Sequence, residues 1–330
     1  MHAFILVTVA PPPELRGRTL KFGLGSLSSF LITYIKCPFP TVLVDPNTII
    51  PFAKPLPYIY SGNIQITVPY PGSQVFLPYG FGPAPVLTDA PVFYFDIDNC
   101  LYDLSLGVHG LTQVLIHKYF KERLNLSDTE AHNLHMAYYK TYGLAVEGLV
   151  RNNQVDALEY NAKVDDALAL HGLITPNLKL RAMLQALKES GSCRMWLLTN
   201  AYKNHALRCI SLLGLGDLFE GLTFCDYSQT PIVCKPMTGY FTNAFAKSGL
   251  KATEETLANT YFVDDSALNC KAGVDLGMGH VVHYIERDAD YEKVINSDDY
   301  TKYYKAGGRT NGIKIVRNIL EIETVCSELF

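Results

Sequence analysis

The sequence predicts an α/β fold in three parts: a proline-rich amino-terminal extension, a parallel-sheet core and a helical subdomain inserted into that core. Fifteen of the eighteen prolines lie within residues 1–91. From residue 92 onward, short apolar runs alternate with helical stretches, as in a parallel sheet that helices cover on both faces. Between the first two runs, residues 104–190 form a helical stretch that is far longer than one crossover needs.

The amino-terminal stretch 1–91 combines its prolines with only eight charged residues. Proline lacks a backbone donor, so it interrupts both helices and strand ladders. We therefore expect a poorly ordered extension that tends to polyproline II conformation and takes no part in catalysis. A small all-β module is the alternative, and the even spread of the prolines disfavours it.

The core, 92–103 and 191–330, has five predicted strands, because strands buried on both faces are apolar throughout. The predicted strands are 92–97, 194–199, 222–225, 261–264 and 281–285, and the predicted helices are 201–213, 236–248 and 266–276. Gly191, Gly214 and Gly249 stand where helices of this length end.

The insertion 104–190 is too long for one crossover helix, so we predict that it folds as a helical subdomain. Ser127 and Glu130 are spaced as a capping box, which marks the start of one of its helices. It follows the first strand, whose carboxyl end lies at one edge of the predicted sheet.

Polar residues follow the predicted strands at that carboxyl edge, where open α/β sheets bind ligands. In chain order they are Asp96 and Asp98, Thr199 and Asn200, Lys235, and Asp264 and Asp265. Four carboxylates at one edge need a cation, and oxygen ligands alone suit Mg²⁺. A hydroxyl and an ammonium beside that cation suit phosphoryl oxygens, and a carboxylate there can attack phosphorus to form an aspartyl-phosphate.

The composition of the chain narrows the possible binding partners of the protein and its cellular compartment. A net charge of −4 without a long basic run disfavours nucleic acid as a ligand. The eight cysteines are scattered and form no C-x-x-C pair, which favours a reducing compartment, the cytoplasm or also the nucleus. The uncharged run 22–35 has fourteen residues, fewer than the ~18 of a membrane span, so we expect no stable membrane insertion.

The edge residues, in this order and after these strands, resemble the four motifs of the haloacid dehalogenase (HAD) superfamily of phosphohydrolases over residues 92–330. The strings "FDIDNCLY", "YYKTYGLAVEGL", "LLTNAYKNHALRC", "CKP" and "FVDDS" are similar to its fungal pyrimidine 5′-nucleotidase branch. The resemblance implies a Rossmann-like core, a helical cap over 104–190 and a Mg²⁺ cofactor. It also implies hydrolysis of a small phosphate ester, a pyrimidine nucleoside 5′-monophosphate, through an aspartyl-phosphate.

The resemblance also implies roles for the first motif. Asp96 would be the nucleophile and a Mg²⁺ ligand. Asp98 would act as general acid and then as general base, and its backbone carbonyl would reach the metal. Cys100 stands where the family often has Thr or Val, which could alter how Asp98 is held.

For the remaining motifs, the resemblance implies that Thr199 and Lys235 hold the phosphoryl oxygens. Asp265 would be the main metal ligand of the fourth motif, with Asp264 either a ligand or directly behind it. Asn200, in the loop after Thr199, is a candidate for substrate binding.

Five residues of the insertion could contact a nucleobase by stacking or hydrogen bonding: Tyr138, Tyr139, Tyr142, Arg151 and Asn152. So many aromatic residues on one helix could equally be core. The motifs themselves are blind to the leaving group, so a lysophosphatidate or sugar phosphate is an alternative substrate. A catalytically silent binding protein on the same fold is a further alternative, which the intact Asp98 disfavours.

Overall fold

The structure is a computed structural model that describes residues 70–305 and 312–330 and, between residues 6 and 67, the backbone of short strands. The chain divides into two compact units, Met1–Gln74 and Val75–Phe330.

In the first unit, antiparallel pairing joins the strands into a four-stranded sheet of order β4-β1-β6-β5 and a separate β2-β3 pair. The strands are β1 Leu6–Val9, β2 Lys21–Leu24, β3 Leu27–Leu31, β4 Thr41–Leu43, β5 Ile59–Ser61 and β6 Ile64–Thr67. A small all-β module, the alternative that the even spread of prolines disfavours, would contain strands of this kind. The remainder of 1–69 lies outside the described residues, so the poorly ordered extension stays a prediction.

The second unit contains the predicted parallel sheet, with one strand more than the sequence indicated. Its strands are β7 Val92–Phe95, β8 Arg194–Leu198, β9 Gly221–Thr223, β10 Tyr261–Asp264, β11 His280–Tyr284 and β12 Lys314–Val316. Every pair in the order β12-β11-β10-β7-β8-β9 is parallel. The two motif-bearing strands β8 and β10 therefore flank β7, and their carboxyl ends meet.

Helices cover both faces of this sheet. They are α1 Val108–Leu124, α2 Asp128–Tyr142, α3 Ala145–Asn153, α4 Ala157–Lys163, α5 Leu178–Ser190, α6 Lys203–Leu213, α7 Thr238–Ser248, α8 Glu254–Ala258, α9 Ala267–Asp275, α10 Asp288–Ile295, α11 Tyr300–Tyr303 and α12 Ile322–Val325. Three single 3₁₀ turns, Leu104–Leu106, Ile319–Glu321 and Ser327–Leu329, complete the second unit. None of the helices in the described part of the chain has the length and apolar content that crossing a membrane requires.

The aromatic strand β7 supplies both faces of the core because side chains alternate along a strand. Phe93 and Phe95 pack into one hydrophobic cluster, with residues of α5 and α6. Val92 and Tyr94 pack into the other, with residues of α7 and α9. Burial on both faces leaves the strand end as the place where polar residues can be presented.

Helices α1 to α4 form the inserted cap, and the capping box at Ser127 begins α2 as predicted. The last helix of the predicted insertion, α5, lies against the core instead. Arg181 donates to Asp217 at 2.7 Å, and the Ser190 hydroxyl donates to the Leu329 carbonyl at 2.7 Å. The sequence shows that this segment is helical but does not show which layer it joins.

Residues 75–91, which the sequence assigns to the extension, pack on the core and form a strap along the outer strand β9. Tyr79 N donates to Glu220 O at 3.1 Å, and Thr88 N donates to Gly249 O at 2.8 Å. The compact unit accordingly begins at residue 75 and not at 92.

Candidate active site

Lys235 lies at the centre of the carboxyl edge, where three elements meet. Its Nζ lies 2.7 Å from Asp96 Oδ1, 2.6 Å from Asp264 Oδ2 and 2.7 Å from the Leu198 carbonyl oxygen. Lys235 is only 2 % exposed, and an ammonium has three donors, so all of them are satisfied within the protein. The residue therefore fixes the Asp96 carboxylate against the end of β10.

The acidic residues at the end of β10 are held by the start of α9 and by β11. Asp264 Oδ1 accepts from Ser266 N at 2.8 Å and from Asn269 Nδ2 at 3.0 Å. The Asp265 carbonyl lies 3.0 Å from His283 Nε2, which must donate because a carbonyl only accepts. Burial lowers the pKa of His283, which favours this neutral, single-donor form.

The carboxylates of Asp96, Asp264 and Asp265 each place an oxygen within 4.8 Å of the others, a spacing that one metal ion can bridge. If all three carboxyls are ionised, as metal ligation requires, they exceed the charge of the Lys235 ammonium by two. Burial raises the pKa of Asp96 to about 8 and raises the pKa of Asp265 well above its usual range. The cluster thus lacks positive charge, and an all-oxygen set with this deficit fits a hard dication such as Mg²⁺.

Thr199 and Asn200 follow β8, as the sequence predicts, but Asn200 has a role that was not foreseen. Its Nδ2 donates to the Lys235 carbonyl at 2.9 Å, and its Oδ1 accepts from Lys235 N at 2.7 Å. Asn200 therefore clamps the backbone of the lysine loop, and its contact with substrate stays a prediction. Thr199 Oγ1 accepts from Ala201 N at 3.0 Å, and Tyr202 is the N-cap residue of α6.

Asp98 faces two residues that the sequence interpretation did not include. Its Oδ1 accepts from the Tyr102 hydroxyl at 2.5 Å and lies 2.6 Å from His205 Nε2. Burial opposes ionisation, but His205 and then Tyr102 lower the pKa of Asp98 below its usual value. Tyr102 lies within the quoted string "FDIDNCLY" and His205 within "LLTNAYKNHALRC", so position near a motif was the only signal in the sequence.

The cap residues proposed to contact substrate lie on α2 and α3. Tyr139 is 53 % exposed, and partial burial and then the charges of Asp265 and Asp264 raise the pKa of its hydroxyl. The Arg151 guanidinium lies 5.5 Å from the centre of the Tyr142 ring.

The polar groups of α3 are largely bonded within the cap. Arg151 pairs with Glu147, and Asn152 Nδ2 lies 2.9 Å from the Gly148 carbonyl and 3.2 Å from the Tyr142 hydroxyl. Tyr138 donates to Asn153 at 2.8 Å. Whether any of these residues reads a base stays a prediction.

The cap is seated on the lysine loop through Glu147, a buried carboxylate of α3. Its Oε2 accepts from Ile232 N at 3.0 Å, three residues before Lys235. At the end of α2, a Cβ on Gly143 would lie 3.7 Å from both Cys234 Sγ and the Lys235 carbonyl. The cap therefore contacts the same loop that carries the central lysine.

The site has the composition and order of a known family of hydrolases. The family model of haloacid dehalogenase-like hydrolases matches residues 91–277, more than half of the chain. The chain belongs to this family. It is 41% identical over 241 residues to "Phosphate metabolism protein 8" of Saccharomyces cerevisiae, a match that covers 71% of this chain and 72% of the yeast protein.

Solved structures of HAD proteins resemble this chain more distantly. A putative HAD hydrolase from Bacillus subtilis, bound to magnesium, is 13% identical with a TM-score of 0.43 and covers 72% of this chain and 98% of its own. A HAD phosphatase from Thermococcus onnurineus is 16% identical with a TM-score of 0.41 and covers 72% and 97%. Likeness of this degree adds nothing on substrate or mechanism.

Proposed function

We propose that this HAD hydrolase is a Mg²⁺-dependent phosphomonoesterase that works through an aspartyl-phosphate and acts on pyrimidine nucleoside 5′-monophosphates. The observation that carries the proposal is the Asp96–Lys235–Asp264 bridge beside Asp265. It presents one fixed carboxylate next to a cluster that needs a dication. A nucleophile and a metal at one sheet edge are the two requirements of phosphoryl transfer to an aspartate.

Asp96 would attack phosphorus while Lys235 holds its carboxylate in place. Asp98 would protonate the leaving oxygen and then take a proton from the water that releases phosphate. The Thr199 hydroxyl would donate to a phosphoryl oxygen. Mg²⁺, held by Asp96, Asp265 and the Asp98 carbonyl with Asp264 behind them, would supply positive charge to the phosphoryl oxygens.

The nucleotide part of the proposal is supported by the quoted strings and by the cap. Tyr139 is an exposed tyrosine of α2 whose pKa is raised by partial burial and by the charges of Asp265 and Asp264, and its ring could stack on a base carried by the phosphate. The yeast relative's name refers to phosphate metabolism, which agrees with a phosphate ester as substrate. Another small ester is the alternative, because the residues around Lys235 would contact only the phosphoryl group of a substrate. The seven described cysteines are all buried and free, in keeping with the proposed cytoplasmic or nuclear location.

A phosphatase screen tests the proposal directly. Purified protein is assayed with nucleoside 5′-monophosphates, sugar phosphates, lysophosphatidate and p-nitrophenyl phosphate, in Mg²⁺ and in EDTA. We expect release of phosphate only with Mg²⁺, and the highest kcat/KM with UMP or CMP. A higher kcat/KM for a non-nucleotide ester would make that ester the preferred substrate in place of the nucleotide. Activity unchanged by EDTA would overturn the metal requirement.

A further inference from the structure

The Asp98 carboxyl is bonded asymmetrically. Both of its side-chain partners, Tyr102 and His205, bond to the same oxygen, Oδ1. Across the described residues, 70–305 and 312–330, no protein group bonds to Oδ2, and the side chain is 29% exposed. The two oxygens of this carboxyl are therefore distinct: one is fixed by the protein and the other is left free.

The two partners come from different elements and are themselves fixed. Tyr102 follows β7 in the loop that carries Asp98 and is buried. His205 lies in the first turn of α6, is 4% exposed, and has its Nε2 3.4 Å from Cys209 Sγ. A carboxyl held from two elements has little freedom to rotate, so the free oxygen is presented in one direction.

We propose that Tyr102 and His205 are positioning residues that fix Oδ1 of Asp98 so that Oδ2 alone exchanges protons with the substrate. This inference rests on the proposed phosphatase function. In the protonated form of Asp98, which the first step requires, the Oδ2 proton passes to the leaving oxygen as the bond of that oxygen to phosphorus breaks and the Asp96 oxygen bonds to phosphorus. Water then attacks phosphorus, its proton passes to Oδ2, and phosphate leaves with the Asp96 carboxylate restored.

A second tyrosine offers a matched comparison. The Tyr284 hydroxyl donates to Asp103 Oδ1 at 2.8 Å, and Tyr284 is also buried. Tyr284→Phe thus deletes one partly buried tyrosine–aspartate bond without touching Asp98. Tyr102→Phe deletes the same kind of bond on the acid itself.

The kinetic test compares leaving groups, because a good leaving group needs little protonation. The value of kcat/KM reports the steps through the first irreversible one, which is transfer of phosphate to Asp96. For Tyr102→Phe and His205→Leu, we expect kcat/KM to fall ~10- to 100-fold on the nucleotide and less than ~3-fold on p-nitrophenyl phosphate. The loss on the nucleotide is part of the rate factor of ~10² to 10⁴ that a general acid–base group supplies. His205→Gln, whose amide can donate, should recover part of the loss. Tyr284→Phe should leave both substrates unchanged.

A second measurement does not depend on turnover. In protein carrying ¹⁵N-histidine, Asp98→Asn should shift the ring-nitrogen resonances of His205, whereas Asp103→Asn should not. Unshifted resonances in Asp98→Asn would overturn the contact, even if the protein proved to have no phosphatase activity.

The outcomes separate the two proposals. Suppose that the wild type is active. If Tyr102→Phe and His205→Leu then lower kcat/KM equally on both substrates, or on neither, the positioning role is overturned while the phosphatase function stands. An inactive wild type with a shifted His205 signal would overturn the phosphatase function and, with it, the kinetic role of the contact. Thermal unfolding of each variant shows whether equal losses reflect a damaged fold.

Discussion

The edge of the core and the cap are built in different ways. At the edge, the decisive bonds join distant parts of the chain: Lys235 to Asp96 spans 139 residues, and His205 to Asp98 spans 107. In the cap, Asn152 bonds Gly148 four residues away and Tyr142 ten residues away. Hydrogen bonds between residues far apart in sequence converge where parallel strands end. Hydrogen bonds between residues close in sequence stabilise the helix pair α2 and α3. The edge residues are thus fixed by topology, and the cap can change its surface without altering them wherever it does not contact the lysine loop, as Glu147 and Gly143 do.

The largest effect is expected at the nucleophile. Asp96→Asn keeps the shape of the side chain but removes the attacking charge, so turnover should fall to background on every substrate. The variant should still fold, because burial already favours the neutral form of this residue. Steady-state rates together with thermal unfolding check this, with Asp103→Asn as the control. Wild-type turnover in a folded Asp96→Asn protein would contradict the assignment.

At Asp98, the loss should depend on the leaving group. Asp98→Asn removes the proton donor, so kcat/KM for a nucleotide should fall by about 10² to 10⁴. Phosphorylation by p-nitrophenyl phosphate, measured as a rapid burst of nitrophenol, should fall much less. Equal losses on the two substrates would argue against an acid role.

Metal binding should depend on pH in a defined direction. Because burial places the pKa of Asp96 at about 8, well above its ordinary value, the free protein keeps a proton there at neutral pH. Burial also raises the pKa of Asp265, so Mg²⁺ must displace protons from this cluster, and its apparent affinity should rise about tenfold per pH unit for each proton displaced. Titration calorimetry at pH 6, 7 and 8 measures the slope, and a flat profile would show that metal binding displaces no proton from these carboxyls.

The smallest effect is expected in the cap and tests the contrast most directly. If Arg151 or Asn152 reads the base, Arg151→Ala or Asn152→Ala should lower kcat/KM for the nucleotide by ~10- to 100-fold, or ~1–3 kcal/mol, and spare p-nitrophenyl phosphate. Since both residues are bonded within the cap, loss on both substrates would instead indicate a role in cap structure or closure. No loss on either would place base selection at other residues, with Tyr139→Ala, which removes the ring, as the next variant.

Sequence reasoning reached the strands and the edge residues because strand burial and strand ends leave a local signature. Strand β10, Tyr261–Asp264, has the predicted limits. Strand β12, Lys314–Val316, was missed because three residues with a lysine look like a loop. His205 was missed because a single histidine on a helix has no spacing partner that reveals a contact 107 residues away. Tertiary contacts of this kind also decide that α5 joins the core.

The strap 75–91 covers an outer strand of the sheet, so removing it should change how the protein associates. Strand β9 is the last strand of the sheet, and Tyr79 pairs with its first residue, Gly221, in parallel. Next to it, a Cβ on Gly80 would lie 2.4 Å from the Leu222 carbonyl, so the strap lies directly on the strand. An uncovered edge strand offers free backbone groups to a neighbouring molecule. A chain beginning at residue 91 should therefore self-associate with rising concentration, whereas a chain beginning at residue 75 should not, as light scattering would show.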